Sequence, residues 1–104
     1  MAIAGNKYPF SQENVDKTPE SMGIYELFDG DTIIYIGLAP GQGDTIRKRL
    51  QAHKRGDQGS GTKNATHYKR EICNHPIARQ KEEQAEFMKA NGKLPRCNES
   101  ERIR

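Results

Sequence analysis

Two tyrosines ten positions apart, Tyr25 and Tyr35, and an arginine and a histidine four apart, Arg49 and His53, are the side chains whose types and spacing best suit chemistry. A phenol or an imidazole can take or give a proton, and a guanidinium meets phosphate oxygens bidentately. Together they suit proton transfer beside an anionic centre. Each also has a plainer reading. A strand tyrosine usually packs, an Arg/His pair on a helix usually belongs to a solvated basic face, and Glu86 by itself would be a surface helix acid paired with Lys89. Cys73, His75, His67 and Cys97 make a weak zinc set, because Cys-x-His is too short for a knuckle and no paired ligands answer it near Cys97. Gly41-Gln42-Gly43 before a helix can offer backbone amides to a phosphate but lacks the Lys-Ser/Thr of a P-loop.

The elements that must position these groups follow from pattern. Residues 23–37 are two β-branched and aromatic runs around Asp29-Gly30-Asp31, a hairpin signal. A three-residue loop at 29–31 places Tyr25 opposite Tyr35, with Gly30 supplying the positive φ. After a Gly/Pro-rich loop, Asp44 is expected to cap a helix on which Ile46, Leu50 and His53 recur at helical spacing, closed by Gly56. Residues 56–65 have no periodicity and read as a loop, and Thr66 to Cys73 as a third strand. A second helix is expected from Pro76 to about Ala90, with Asn91-Gly92 as its stop and Ile77, Ala85 and Met88 as its apolar stripe. Residues 94–98 read as extended. The division is an N-terminal extended arm at 1–21 with one helical turn opened by Ser11, a domain at 22–98 and a polar tail at 99–104. The fold class is α/β in the broad sense (α+β): a small antiparallel sheet of three strands flanked by helices.

The chain has 104 residues, enough for one domain. It is 33% hydrophobic and 30% charged, with no run near the roughly 18 apolar residues of a membrane span. No membrane partner and no targeting segment are expected, and the cytoplasm is the expected compartment. Two cysteines are too few for a disulfide scaffold, so both are expected to be free. Charge is uneven. Residues 1–43 hold two basic against six acidic residues, 44–72 eight against three, and 73–104 seven against five. A basic middle in a chain of pI about 9.0 is the footprint of a polyanion partner.

Gly23-Ile24-Tyr25 and Tyr35-Ile36-Gly37 resemble the signature of the GIY-YIG nuclease family, and the rest of that pattern follows in order. The family carries an arginine on its first helix with a histidine or tyrosine four residues on, matched by Arg49 and His53. A second-helix glutamate precedes, by about a dozen residues, an asparagine that follows a proline; Glu86, Pro95 and Asn98 match. Leu38 departs from the lysine many relatives have after the second glycine, a contact Lys48 or Arg47 would have to supply. A longer loop before the arginine makes Arg47 a rival to Arg49, which is preferred for its spacing to His53.

The resemblance implies a metal-dependent endonuclease hydrolysing DNA phosphodiester bonds. Tyr25, Tyr35, Arg49, His53, Glu86 and Asn98 would be catalytic, and Glu86 would hold one Mg²⁺ or Mn²⁺. Arg49 would stabilise developing charge, either tyrosine would serve as base with His53 relaying a proton or orienting it, and Asn98 would hold the site together or position phosphate. Gly23 and Gly37 are the motif glycines. Arg47, Lys48, Lys54, Arg55, Lys63, Lys69 and Arg70 are the expected phosphate contacts, with little sequence specificity and steep salt dependence. A partner protein or a homodimer is expected to supply targeting. The alternatives are a catalytically silent nucleic-acid-binding module of the same fold and a nuclease for RNA or branched DNA.

Overall fold

A computed structural model describes residues 3 and 5–98. The two β-rich runs pair antiparallel as β2 (Gly23–Asp29) and β3 (Thr32–Ala39). Their turn has two residues, Gly30 and Asp31, not the expected three, since Asp29 pairs with Thr32. The register then shifts between Leu27 and Phe28, so Tyr25 stands opposite Gly37 and Tyr35 opposite Leu27, rather than the tyrosines opposing each other. An even turn alone would put them on opposite faces. The extra residue at the bulge, Ile34, restores the parity, and Tyr25, Leu27, Tyr35 and Gly37 share one face.

Among the described residues the sheet has four strands in the order β1-β4-β2-β3, all antiparallel, where three were expected. The added strand β1 is Tyr8–Pro9, too short to show alternation. It lies at the sheet edge, where the missing N–H of Pro9 costs no ladder bond. Strand β4 (His67–Ile72) separates it from β2.

Helix α1 (Gln12–Asp16) is opened by the Ser11 hydroxyl, which accepts from Asn14 N–H. Helix α2 (Ile46–Arg55) is capped by Thr45, whose hydroxyl accepts from Lys48 N–H; Asp44, expected as the cap, is left for another task. Ile46, Leu50 and His53 are its buried face, as the spacing predicts, and Gly56 closes it. The stretch read as an irregular loop contains a short helix α3 (Ser60–Lys63), and 96–98 turn helical where an extended segment was expected.

Helix α4 (Pro76–Asn91) starts and stops where expected, but its buried face does not match the apolar stripe. Ile77, Ala85 and Met88 are exposed, and Glu83 is buried. Arg79 reverses the expectation: its guanidinium bonds Glu71 at 2.7 Å and Glu83 at 2.7 Å, so an ion-paired face can pack where a bare acid could not.

Phe10, Val15, Tyr25, Leu27, Tyr35, Ile46, Leu50 and Tyr68 form a core between α1, α2 and one sheet face. Each such side chain contributes roughly 1.5–3 kcal/mol by leaving water. Phe10 and Val15 place the N-terminal stretch inside this core. Ile24, Glu26 and Ile36 alternate onto the other face. Cys73 and Cys97 are free thiols. Among the described residues, no helix is long and apolar enough to cross a membrane.

Candidate active site

Strand parity and the helical spacing of α2 bring Tyr25, Tyr35 and His53 together. Ring centroids lie 6.1 Å apart for the two tyrosines, 5.6 Å for Tyr25 and His53, and 5.0 Å for Tyr35 and His53. Gly37 makes this possible, because a Cβ there would overlap the Tyr25 ring. Gly23 is constrained in the same way by the carbonyl of Glu71 across the sheet. The Tyr25 hydroxyl meets His53 Nε2 at 2.8 Å, and His53 Nδ1 meets the Thr62 hydroxyl at 2.8 Å. Thr62, on α3, has no signature in the sequence: it sits in a stretch without periodicity and reaches His53 only through the fold.

His53 is buried at 1% exposure, and burial, with Arg49 nearby, pushes its pKa down to about 4. At neutral pH the imidazole is uncharged, with one ring nitrogen donating and the other accepting. If Nε2 accepts from the Tyr25 hydroxyl, Nδ1–H donates to Thr62.

Arg49 lies close enough to Tyr25 and Tyr35 for both to favour its charge. Its Nε and one terminal nitrogen each donate to the Asp44 carboxylate at 2.7 Å. That fork contact holds the Asp44 carboxyl below the usual range and is the largest cause of the raised Arg49 pKa, which Tyr25 and Tyr35 reinforce. Arg47 takes a different place, donating to the Thr18 carbonyl at 2.6 Å and pairing with Glu20 at 3.3 Å.

A cleft of about 500 Å³ opens beside Arg49, lined also by Gln42, Gly43, Asp44, Lys48 and Arg55. Gly41, Gln42 and Gly43 all have positive φ, which turns this loop back toward α2. Lys48, Arg49 and Arg55 make the cleft cationic despite Asp44 and despite the pairing of Arg55 with Asp57 at 2.8 Å. Lys63 is exposed on α3. The other expected phosphate contacts are engaged inside the fold: Lys54 donates to Phe10 O at 2.7 Å, Lys69 to Ile3 O at 3.3 Å, and Arg70 to the Tyr8 hydroxyl at 3.2 Å. Leu38 is half-buried on β3.

Glu86 is exposed on α4 and lines a second cleft, of about 260 Å³, with Glu26, Glu83, Ile33 and Ile36. No group of three or more His, Cys, Asp or Glu among the described residues is placed to hold a metal. A hard cation such as Mg²⁺ accepts a single carboxylate when water and phosphate fill the other positions, and an exposed Glu86 meets that requirement by itself, but it lines the cleft on the sheet face opposite Tyr25, Tyr35 and His53 and is not brought together with them. Asn98 is buried: its Oδ1 accepts from Ile36 N–H at 2.7 Å and its Nδ2 donates to Ile36 O at 3.0 Å. It clamps the backbone between Tyr35 and Gly37. No family model and no curated protein matches the chain.

Proposed function

We propose that the chain is a GIY-YIG-type, metal-dependent endonuclease that hydrolyses DNA phosphodiester bonds at the Tyr25, Tyr35, His53 and Arg49 group. The observation that carries this reading is the 2.8 Å contact of a buried tyrosine hydroxyl with an uncharged histidine, beside an arginine that opens onto a cationic cleft. Hydrolysis of an anionic diester needs an activated water, charge stabilisation and a protonated leaving oxygen. In the tautomer that donates from Nδ1 to Thr62, neutral His53 accepts a hydrogen bond from the Tyr25 hydroxyl at Nε2 and orients it. Either tyrosine takes the proton of the attacking water, and solvent water returns a proton to the leaving oxygen. Arg49 has N–H groups beyond the two bonded to Asp44, and these stabilise charge developing on phosphate. Lys48 and Arg55 hold flanking phosphates. The resemblance assigns one Mg²⁺ or Mn²⁺ to Glu86, where it would supply charge neutralisation, although Glu86 lines the cleft beneath α4 and not the Arg49 cleft. The protein would work in the cytoplasm, with targeting left to a partner protein or a second copy.

A plasmid nicking assay at low salt, with Mg²⁺, Mn²⁺ or chelator, tests this. Wild type is expected to nick only with metal, and Glu86→Ala and Arg49→Ala to lose about 10²-fold or more. Equal nicking by folded Glu86→Ala would remove the metal assignment. RNA and branched DNA present similar phosphates and belong in the same assay as competing substrates.

A second reading, a silent nucleic-acid-binding module, is favoured by a specific observation. Tyr25 and His53 are 0% and 1% exposed, and Arg49 is already engaged by Asp44. Metal-independent DNA binding without nicking is its outcome.

A further inference from the structure

On the other face of the sheet, beneath α4, lies a group that the nuclease reading does not use. Glu26 is buried at 1% exposure in the middle of β2, and no hydrogen bond reaches its Oε1 among the described residues. Neighbouring acids are served: the Arg79 guanidinium donates to Glu71, Glu82 and Glu83. A buried carboxyl oxygen without a donor is costly, and the cost is relieved by a ligand that brings one.

The residues around Glu26 indicate what that ligand is. Its cleft, about 260 Å³, is walled by the carboxylates of Glu83 and Glu86 and by the apolar surfaces of Ile33, Phe87 and Ala90. A bare divalent ion wants several hard ligands converging on one point, and no such group exists among the described residues. An alkyl stem carrying a cation matches both kinds of wall, and the volume suits one side-chain-sized group. The adjacent Arg79 contacts show a guanidinium already accepted by carboxylates of this face. We propose that the cleft beneath α4 binds an alkylguanidinium or alkylammonium group, with Glu26 Oε1 as the acceptor that selects it.

This does not rest on the nuclease reading, but the two share Glu86, so a metal ion held there would compete with the organic cation. Burial, reinforced by Glu83 and Glu71 and opposed by Lys69 and Arg79, pushes the Glu26 pKa up to about 7. A cationic ligand favours the ionised form, so its affinity rises with pH through that value.

NMR titration of the whole chain, following the methyl groups of Ile33 and Ile36, tests the site with propylguanidinium, butylammonium, a blocked Gly-Arg-Gly tripeptide and Mg²⁺. Saturable shifts are expected with the organic cations below about 10 mM. Binding is expected to be about tenfold weaker at pH 6 than at pH 8 and to disappear in Glu26→Gln, whose fold is checked by its spectrum. Tighter binding of the free cations than of the tripeptide identifies a small molecule as the ligand, and the reverse identifies a partner's side chain. Saturable shifts with Mg²⁺ and not with the organic cations, undiminished binding in Glu26→Gln, or no saturation with any organic cation would overturn the proposal.

Discussion

The two faces of the sheet bury titratable groups in opposite ways. Beneath α2, His53 is a base kept uncharged by burial and held by two hydroxyl contacts, among aromatic rings packed within about 6 Å of one another. Beneath α4, Glu26 is an acid poised near neutrality with an oxygen left unserved, among carboxylates that share one guanidinium. The first face is fixed by shape and the second by charge balance. A perturbation of volume should therefore be felt on the first, and a perturbation of charge on the second.

The largest effect is expected from volume. Gly37→Ala drives a methyl group into the Tyr25 ring and is expected to cost roughly 4 kcal/mol in urea unfolding. A loss below about 1 kcal/mol would mean that the ring moves freely and that the first face is not set by shape.

The pH dependence of stability sharpens the contrast. The His53 pKa falls from 6.5 unfolded to about 4 folded, so the unfolded chain binds the extra proton between those values and stability rises with pH there. The Glu26 pKa rises from 4.5 to about 7, so the folded chain binds the extra proton and stability falls as pH rises through that window. Each is worth about 3 kcal/mol at 1.36 kcal/mol per unit, with opposite sign. Between about pH 4.5 and 6.5 the two slopes nearly cancel in the wild type. Urea melts across pH should uncover one slope in each variant: Glu26→Gln gains stability toward pH 6.5, and His53→Gln loses stability toward pH 7. Parallel profiles for both variants would show that these groups do not control the balance.

Arg79→Ala leaves Glu71 and Glu83 without their guanidinium and is expected to cost about 2 kcal/mol, less when Glu83→Gln is added. Additive losses in a double-mutant cycle would break the charge-balance account. The smallest effect concerns the cationic cleft. Asp44→Asn frees the Arg49 fork, and pyrophosphate affinity by calorimetry is expected to rise about threefold; unchanged affinity would mean that Asp44 does not compete with anions.

Much of the first face was legible because it rests on local spacing. The helical recurrence of Ile46, Leu50 and His53 and the tyrosine-bearing runs around residue 30 mark α2 and the hairpin by pattern alone. The route by which the tyrosines come to share a face was not legible: an odd loop was expected, and an even turn with a bulge achieves the same parity. Thr62 and Asp44 were missed as partners because their roles depend on where α3 and the preceding loop fold back onto α2. The second face misleads because apolar stripes locate buried helix faces only when charges stay outside. With Arg79 between Glu71 and Glu83, α4 turns its charged side inward and leaves Ile77 at 56% exposure. Strand β1 escaped because two residues carry no period.

Asn98 acts on Ile36 from 62 positions away, offering a donor and an acceptor as a neighbouring strand would. Strand β3 is the outer strand on that side, so this amide, together with Gln80, whose Nε2 also donates to Ile36 O at 3.2 Å, stands in for a missing neighbour along part of its edge. During synthesis the hairpin can form long before that amide exists, and the edge beside Tyr35 stays open to any passing strand until then. The late-arriving asparagine thus completes, after Gln80, a seal of that edge against intermolecular pairing.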